Sequence, residues 1–285
     1  MIGIVVINYR SEERTIRFVK EQLYRISSPY AVVIVDNGST EESKTRLLEA
    51  FKACPDQYVF VVPSEENLGF ARGNNLGAAV AINQFEPDLL LFANNDITLS
   101  TDDVVDRMAA KLLSIDEAGE IGPKVIGLDG ELQSPEPFMS FWKRHIALYW
   151  SNLIIGKGRK AKNYLRDYAR NASEGFHYRV SGSFFMMKTQ AWKDCGGMDP
   201  NTFLYAEEMI LSERLKRIGQ KVYYYPGVSV IHEHGATTLK YYERTKIRDM
   251  VFESERYYYK TYIGTPRWQF PVANFTYALK KLFRR

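Results

Sequence analysis

The stretch Leu89-Leu90-Leu91-Phe92-Ala93-Asn94-Asn95-Asp96 runs five apolar residues straight into two amides and a carboxylate. An unbroken apolar run of this length reads as a parallel strand buried on both faces. Its polar end then falls on the carboxyl edge of the sheet, where open α/β sheets bind ligands. Upstream, Ala31-Val32-Val33-Ile34-Val35 runs into Asp36-Asn37-Gly38-Ser39-Thr40 in the same way. The two acids, Asp36 and Asp96, therefore meet on one rim of one sheet, which predicts a site for a nucleotide and a divalent metal.

Working outward from that pair, strands at 2–8, 32–35, 58–62 and 89–92 alternate with helices at 12–25, 41–51 and 69–83. The first helix places Ile16, Val19, Leu23 and Ile26 at helical spacing. The second opens at a Ser39 or Thr40 cap with acids in its first turn. This β-α-β-α order predicts a parallel sheet with right-handed crossovers, a nucleotide-binding half over residues 1–98. Beyond Asp96 the pattern gives a helix at 102–113, a strand at 121–126 and a turn at 127–130. A strand at 178–188, a helix at 207–218 stopped by Gly219, and late strands at 222–225 and 228–231 follow. The aromatic and basic region 133–178, with the run Lys157-Gly158-Arg159-Lys160-Ala161-Lys162, is expected to form loops and short helices over the sheet edge. From Tyr241 onward an aromatic, basic tail forms a helical extension.

Composition sets the outer bounds. With 45% hydrophobic residues in 285, the chain fills the core of one large domain or two small ones and is not disordered. A net charge of +4, its excess towards the second half, indicates a nucleic-acid groove only weakly, and no nucleic-acid partner is expected. Cys54 and Cys195 lie far apart without ligand spacing and read as reduced, buried thiols of a cytosolic protein. The apolar run at 2–7 is too short for a secretion signal and lacks a basic lead. No apolar run reaches the roughly 18 to 20 residues that a spanning helix needs. A cytoplasmic protein is expected, soluble or attached to the inner face of the membrane.

Several residues carry chemistry beside a plainer structural alternative. Asp36 before Asn37-Gly38 fits a ligand-facing acid or an ordinary turn acid. In Asn67-Leu68-Gly69-Phe70-Ala71-Arg72-Gly73-Asn74-Asn75 the glycines allow close backbone approach, Arg72 suits a diphosphate, and the amides sit at a helix start. The alternative is a glycine loop capping a helix. Glu207 and Glu208 open a helix, where the dipole favours carboxylates whatever their role. His232 and His234, two apart on a strand, share a face and suit a metal or phosphate.

Taken in order, these blocks, with Val6-Ile7-Asn8-Tyr9, Ser181-Gly182-Ser183, Phe203-Leu204-Tyr205-Ala206-Glu207-Glu208 and His232-Glu233-His234-Gly235, resemble glycosyltransferase family 2 over residues 1–240. The likeness is to its bacterial rhamnosyltransferase-like branch. The resemblance implies a GT-A fold, with the nucleotide half 1–98 fused to an acceptor half 99–240, followed by the extension 241–285. It also implies inversion at the anomeric carbon and a manganese or magnesium cofactor. By the same resemblance Asp36 accepts from the N3–H of uracil or thymine, flanked by Asn8 and Tyr9. Asn67, Gly69, Arg72, Asn74 and Asn75 serve ribose and phosphates, while Asn94, Asn95, Ser181 and Gly182 line the donor sugar. Asp96, with His232 and His234, holds the metal. Glu208 deprotonates the acceptor hydroxyl, and Glu207 contacts a sugar. Two positions depart from the family pattern: Asn94 stands where the metal motif Asp-x-Asp has its first acid, and Glu208 where Glu-Asp has aspartate.

The donor expected is a UDP- or dTDP-linked sugar and the acceptor a glycan or lipid-linked hydroxyl in cell-surface polysaccharide synthesis. A non-catalytic nucleotide- or carbohydrate-binding relative is the alternative. A sugar nucleotidyltransferase would want a glycine and lysine phosphate loop after Asn8, and none is there. The region 133–178, with Trp142, Tyr149 and Trp150, suits a sugar platform, a contact with an anionic membrane carrying the acceptor, or an ordinary lid. The short basic amphipathic segment 278–285 suits the same membrane contact.

Overall fold

A computed structural model describes residues 1–52, 59–148, 150, 160–233 and 243–282. The first half builds as its apolar runs dictate. Strands β1 (Ile2–Asn8), β2 (Tyr30–Asn37), β3 (Val59–Ser64) and β4 (Leu89–Ala93) alternate with helices α1 (Glu12–Arg17), α2 (Glu41–Phe51) and α3 (Gly69–Phe85). All three strand pairings in this half are parallel, and Asn8 stands opposite Asp36 in the register of β1 with β2. The side-chain alternation of the strands feeds two cores. Ile4, Val6, Ile34 and Leu91 pack under Phe18 and Leu47, whereas Val5, Val33, Leu90 and Phe92 pack under Ala71, Ala78 and Ala81 of α3.

The second half adds β5 (Ile97–Leu99), α4 (Val104–Leu113), β6 (Ala118–Gly127), α5 (Lys160–Asn171), β7 (Gly175–His177), β8 (Phe184–Lys188) and α6 (Thr189–Cys195). It closes with α7 (Glu207–Arg217), β9 (Lys221–His232), α8 (Arg244–Thr261) and α9 (Gln269–Leu282). One sheet runs β3-β2-β1-β4-β8-β6-β9-β5, with β7 paired to β9. Here β8 is antiparallel to both neighbours, β5 and β7 are antiparallel to β9, and β6 with β9 is parallel. The result is a mixed α/β layer structure of the expected class, all-parallel in its first half and mixed in its second.

Four local expectations change. The helix at 12–25 is interrupted by a widened π turn (Phe18–Gln22) and a 3-10 turn (Leu23–Arg25). That path keeps Phe18, Val19 and Leu23 inward while Gln22 Oε1 accepts from the backbone N–H of Leu99 in β5, at 3.0 Å. The strand expected at 178–188 is confined to β8, because residues 181–183 turn away to meet Glu208. The two late strands are one, β9. A register shift against Pro123 and Lys124 of β6 absorbs Pro226 and Gly227. Region 133–178, expected to form loops and short helices, carries the short helical turn Lys143–Ala147 and a longer helix of 12 residues, α5. Tyr58, Cys54, Tyr149 and the start of the basic run at 157–159 lie outside the described residues. Cys195 is half-buried and free, its thiol pushed up to about 11 by burial.

A third apolar cluster docks α8 and α9 behind α7, with Phe252, Tyr258, Tyr259 and Ala273 against Met209, Ile210 and Phe141. Among the described residues no helix is long and apolar enough to cross a membrane. Gly77 of α3 makes a tight joint between helix and sheet. A Cβ there would lie 2.4 Å from Val5 Cγ1 and 3.0 Å from Val35 Cγ2. Gly77→Ala should therefore lower unfolding stability by about 1–3 kcal/mol, read as a lower denaturant midpoint. An unchanged midpoint would contradict this packing of α3 on β1 and β2.

Candidate active site

The site begins where β1 and β2 end. Asn8 is fully buried, and its Nδ2 faces Asp36 Oδ1 at 2.8 Å and the hydroxyls of Ser39 and Ser43, each at 3.2 Å. Its Oδ1 accepts from Thr15 Oγ1 at 2.8 Å and Ser11 Oγ at 3.3 Å. Those two hydroxyls also accept from Asn95 Nδ2, at 2.7 and 2.8 Å, so one polar network links the ends of β1, β2 and β4. Tyr9 is half-buried, with the guanidinium of Arg10 over its ring.

The 67–75 block lies beside this network, and its side chains mostly hold the loop itself. Asn37 Oδ1 accepts from Leu68 N–H, and its Nδ2 donates to Asn67 Oδ1 and Gly69 O. Asn67 Oδ1 caps Gly69 N–H at 2.9 Å. Gly69 adopts φ +77°, and a Cβ on it would sit 2.3 Å from the carbonyl oxygen of Phe203, whose close approach continues as Phe70 N–H to Phe203 O at 2.8 Å. Asn74 donates to Phe70 O, and Asn75 exchanges two hydrogen bonds with the Met198 backbone. Arg72 is exposed and pairs loosely with Glu66.

At the end of β4, Asp96 Oδ1 lies 3.3 Å from His232 Nε2 at the end of β9. The two are close without hydrogen-bond alignment, and Oδ1 is enclosed with no hydrogen-bond partner. On its other edge, His232 Nδ1 is 2.7 Å from Gln133 Oε1. Gln133 thus orients the ring so that Nε2 faces Asp96. A carboxylate oxygen and an imidazole nitrogen aimed at one point fit a divalent cation that draws its remaining ligands from phosphate oxygens and water. Among the described residues no group of three or more His, Cys, Asp or Glu side chains converges on such a point. Asn94 Nδ2 stands 3.5 Å from the same His232 nitrogen. Arg14 brings a positive charge 3.9 Å from Asp96 Oδ2 and pairs with Glu233 at 3.4 Å. A polar cleft of about 250 Å3 opens beside Asp96, lined by Phe18, Gln22, Thr98 and Glu233. His234 lies outside the described residues.

The second acidic centre adjoins the first through the backbone. Asn94 N–H donates to Ser183 O at 2.8 Å, and in the same turn Gly182 N–H donates to Glu208 Oε1 at 3.2 Å. A Cβ on Gly182 would lie 2.5 Å from that oxygen, so a larger residue would displace the carboxylate from this position. Ser181 Oγ is spent on Ser183 Oγ, 2.9 Å away. Arg179 donates to Glu208 Oε2 at 3.3 Å and to Glu136 Oε2 at 2.5 Å. Glu207, next to Glu208, is buried with Oε1 unpartnered, and desolvation followed by the charge of Glu208 raises its pKa. Glu120 of β6 is likewise buried with Oε2 unpartnered, and desolvation with Glu208 pushes it up to about 8. The segment before α7 is strained: Tyr205 and Ala206 take φ +75° and +70°, a left-handed conformation that side chains disfavour.

The fold thus gathers Asn8, Asp36, Asn94, Asn95, Asp96, His232, Gly182, Glu207 and Glu208 into one contiguous region, with Arg72 outside it. Sequence reasoning passed over Arg14, Gln133, Arg179, Glu136 and Glu120. Only Glu120 carried a local signal, as a lone acid inside the apolar strand β6. The others reach the site from elements distant in sequence.

The profile described as glycosyltransferase like family 2 matches residues 2–251. The chain is 24% identical over 221 residues to the low-salt glycan biosynthesis hexosyltransferase Agl10 of Haloferax volcanii, covering 76% of this chain and 62% of that protein. It is 23% identical over 248 residues to the N-acetylglucosaminyl-diphospho-decaprenol L-rhamnosyltransferase of Mycobacterium tuberculosis, covering 84% and 78%. The chain therefore spans less than two thirds of the length of the Haloferax relative. Its fold is shared with the mannosyltransferase PcManGT from Pyrobaculum calidifontis, solved with GDP-Man and Mn2+, at a TM-score of 0.55 and 13% identity over 99% of this chain and 75% of that one. With a GT-A-like fold and a profile match across most of its length, the chain belongs to glycosyltransferase-like family 2.

Proposed function

We propose that this chain is an inverting glycosyltransferase that moves a sugar from a UDP- or dTDP-linked donor to a hydroxyl of a glycan or lipid-linked acceptor, with Mn2+ or Mg2+ as cofactor. The observation that carries the reading is the enclosed, unpartnered Asp96 Oδ1 facing His232 Nε2 at 3.3 Å, on the same sheet edge as Asp36 and one turn of backbone from Glu208. Asp36 offers a carboxylate oxygen to the base, with Tyr9 alongside. A divalent cation held by Asp96 and His232 would neutralise charge on the leaving diphosphate. Arg14 supplies positive charge at the same place, a role that exposed Arg72 does not reach. Asn94 and Gly182 border the sugar.

Glu208 takes the proton of the attacking hydroxyl on the face opposite the diphosphate, so a single displacement inverts the anomeric carbon. Its two oxygens are fixed by Gly182 N–H and Arg179, which sets the direction of the remaining lone pairs. Glu207, whose pKa burial and the neighbouring Glu208 charge raise, contacts the acceptor or donor sugar. The mycobacterial relative is named for a lipid-linked acceptor and a rhamnosyl group, which supports the acceptor class.

The direct test is release of nucleoside diphosphate from a panel of UDP- and dTDP-sugars, with Mn2+ and with chelator. Glu208→Gln should cut transfer by about 10²- to 10⁴-fold while nucleotide binding is retained. Wild-type turnover by that variant would overturn the assignment. Burial also gives a pH signature. Glu120 rises from an ordinary 4.5 to about 8, so between those values the folded chain holds a proton that the unfolded chain has lost. Its contribution to stability is full below about pH 4.5 and disappears as the pH rises through about 8. Glu120→Gln should flatten that fall in melting temperature, and an unaltered pH slope would contradict it.

A further inference from the structure

Helix α9 is apolar on two faces. Its inner face is covered: Phe270 meets Phe141 with centroids 4.8 Å apart, Tyr277 stacks on Phe252 at 4.2 Å, and Trp150 Nε1 donates to Thr276 Oγ1. Its outer face carries Phe275 and Leu282, exposed to 61% and 68%, one heptad apart. Trp268, one heptad before Phe275 and directly ahead of the helix, is 60% exposed. Pro271 and Ala278 continue the same exposed stripe at helical spacing. Trp142, 41% exposed, lies against Trp268 with centroids 5.6 Å apart. Three large side chains this open along one stripe cost hydration free energy that no contact among the described residues recovers.

Charge says what covers them. From Arg256 to Arg285 the sequence has seven basic and no acidic side chains, so the other 255 residues carry a net −3 against the chain's +4. Basic residues therefore accompany the apolar stripe and tryptophans flank it, the composition that favours the boundary between lipid head groups and acyl chains. We propose that the outer face of α9, with Trp142 and Trp268, docks this protein on the surface of an anionic lipid bilayer. Lys281 Nζ reaches Asp249 at 2.9 Å, which pins the last turn of α9 to α8, so the docking face is rigid rather than folded on contact. The inference goes beyond the proposed transfer reaction and does not depend on it.

Cosedimentation of the full chain with vesicles of phosphatidylcholine plus phosphatidylglycerol, and with vesicles of phosphatidylcholine alone, tests it without any donor or acceptor. The wild type should pellet with the anionic vesicles, less with the neutral ones, and less again in high salt. Trp268→Ser, Phe275→Ser and Leu282→Ser should each lower the partition by about tenfold while leaving the unfolding midpoint unchanged, because the side chains are solvent-exposed. A wild type that stays in the supernatant with anionic vesicles at low salt would overturn the proposal. So would serine variants that bind as well as the wild type, the mark of a purely electrostatic tail. A dimer seen by light scattering and broken by Phe275→Ser, with no vesicle binding, would assign the face to a second protein copy instead.

Discussion

A primary amide shut off from water must find its partners inside the protein, and Asn8 finds five side-chain oxygens: those of Asp36, Ser39, Ser43, Ser11 and Thr15. Each unmet polar group in such a place costs about 1–3 kcal/mol, so the satisfied arrangement is strongly preferred over any partial one. Because Ser11 and Thr15 also bind Asn95, satisfying Asn8 fixes the end of β4 relative to the ends of β1 and β2. The backbone leaving Asn95 then carries Asp96 to His232. The buried amide of Asn8 thereby helps to set the distance between Asp36 and Asp96.

The second acidic centre is held by other means. Two left-handed residues, Tyr205 and Ala206, cost of order 1–3 kcal/mol each and persist only because neighbours over-determine them. Phe203 O accepts from Phe70 N–H of α3, and Leu204 O accepts from Ser254 Oγ of α8. The loop before Glu207 and Glu208 is thus clamped between α3 and α8. Glu208 is the acid of its group with an anchored, partly open carboxylate, whereas Glu120 and Glu207 are buried with unpartnered oxygens. One carboxylate is anchored and partly open to the site, and burial raises the pKa of the two behind it.

Much of this was readable in the sequence where local forces decide. The runs ending at Asn8, Asp36 and Asp96 are apolar on both faces, and a buried parallel strand is the structure that accepts them. The seven motif blocks named the family and nearly every residue of the contiguous region. Long-range pairing hid the remainder. Strand β5 is three residues long and exists only because β9 and Gln22 take up its hydrogen bonds. The role of Gln133 depends on a fold that brings it to a histidine 99 positions away. The amides of Asn67, Asn74 and Asn75, expected to serve ribose and phosphates, also hydrogen-bond loop and helix backbone, which local sequence does not show. Polar density alone does not distinguish a site from the scaffold that shapes it.

The central claim is that Asp96 and His232 form half a metal site that the donor diphosphate completes. Titrating Mn2+ by electron paramagnetic resonance, with and without UDP, measures this directly. The account predicts weak Mn2+ binding by the protein alone, a marked tightening with UDP, and loss of that tightening in Asp96→Asn. Equal Mn2+ affinity with and without UDP, or an Asp96→Asn variant that behaves as the wild type, would contradict it.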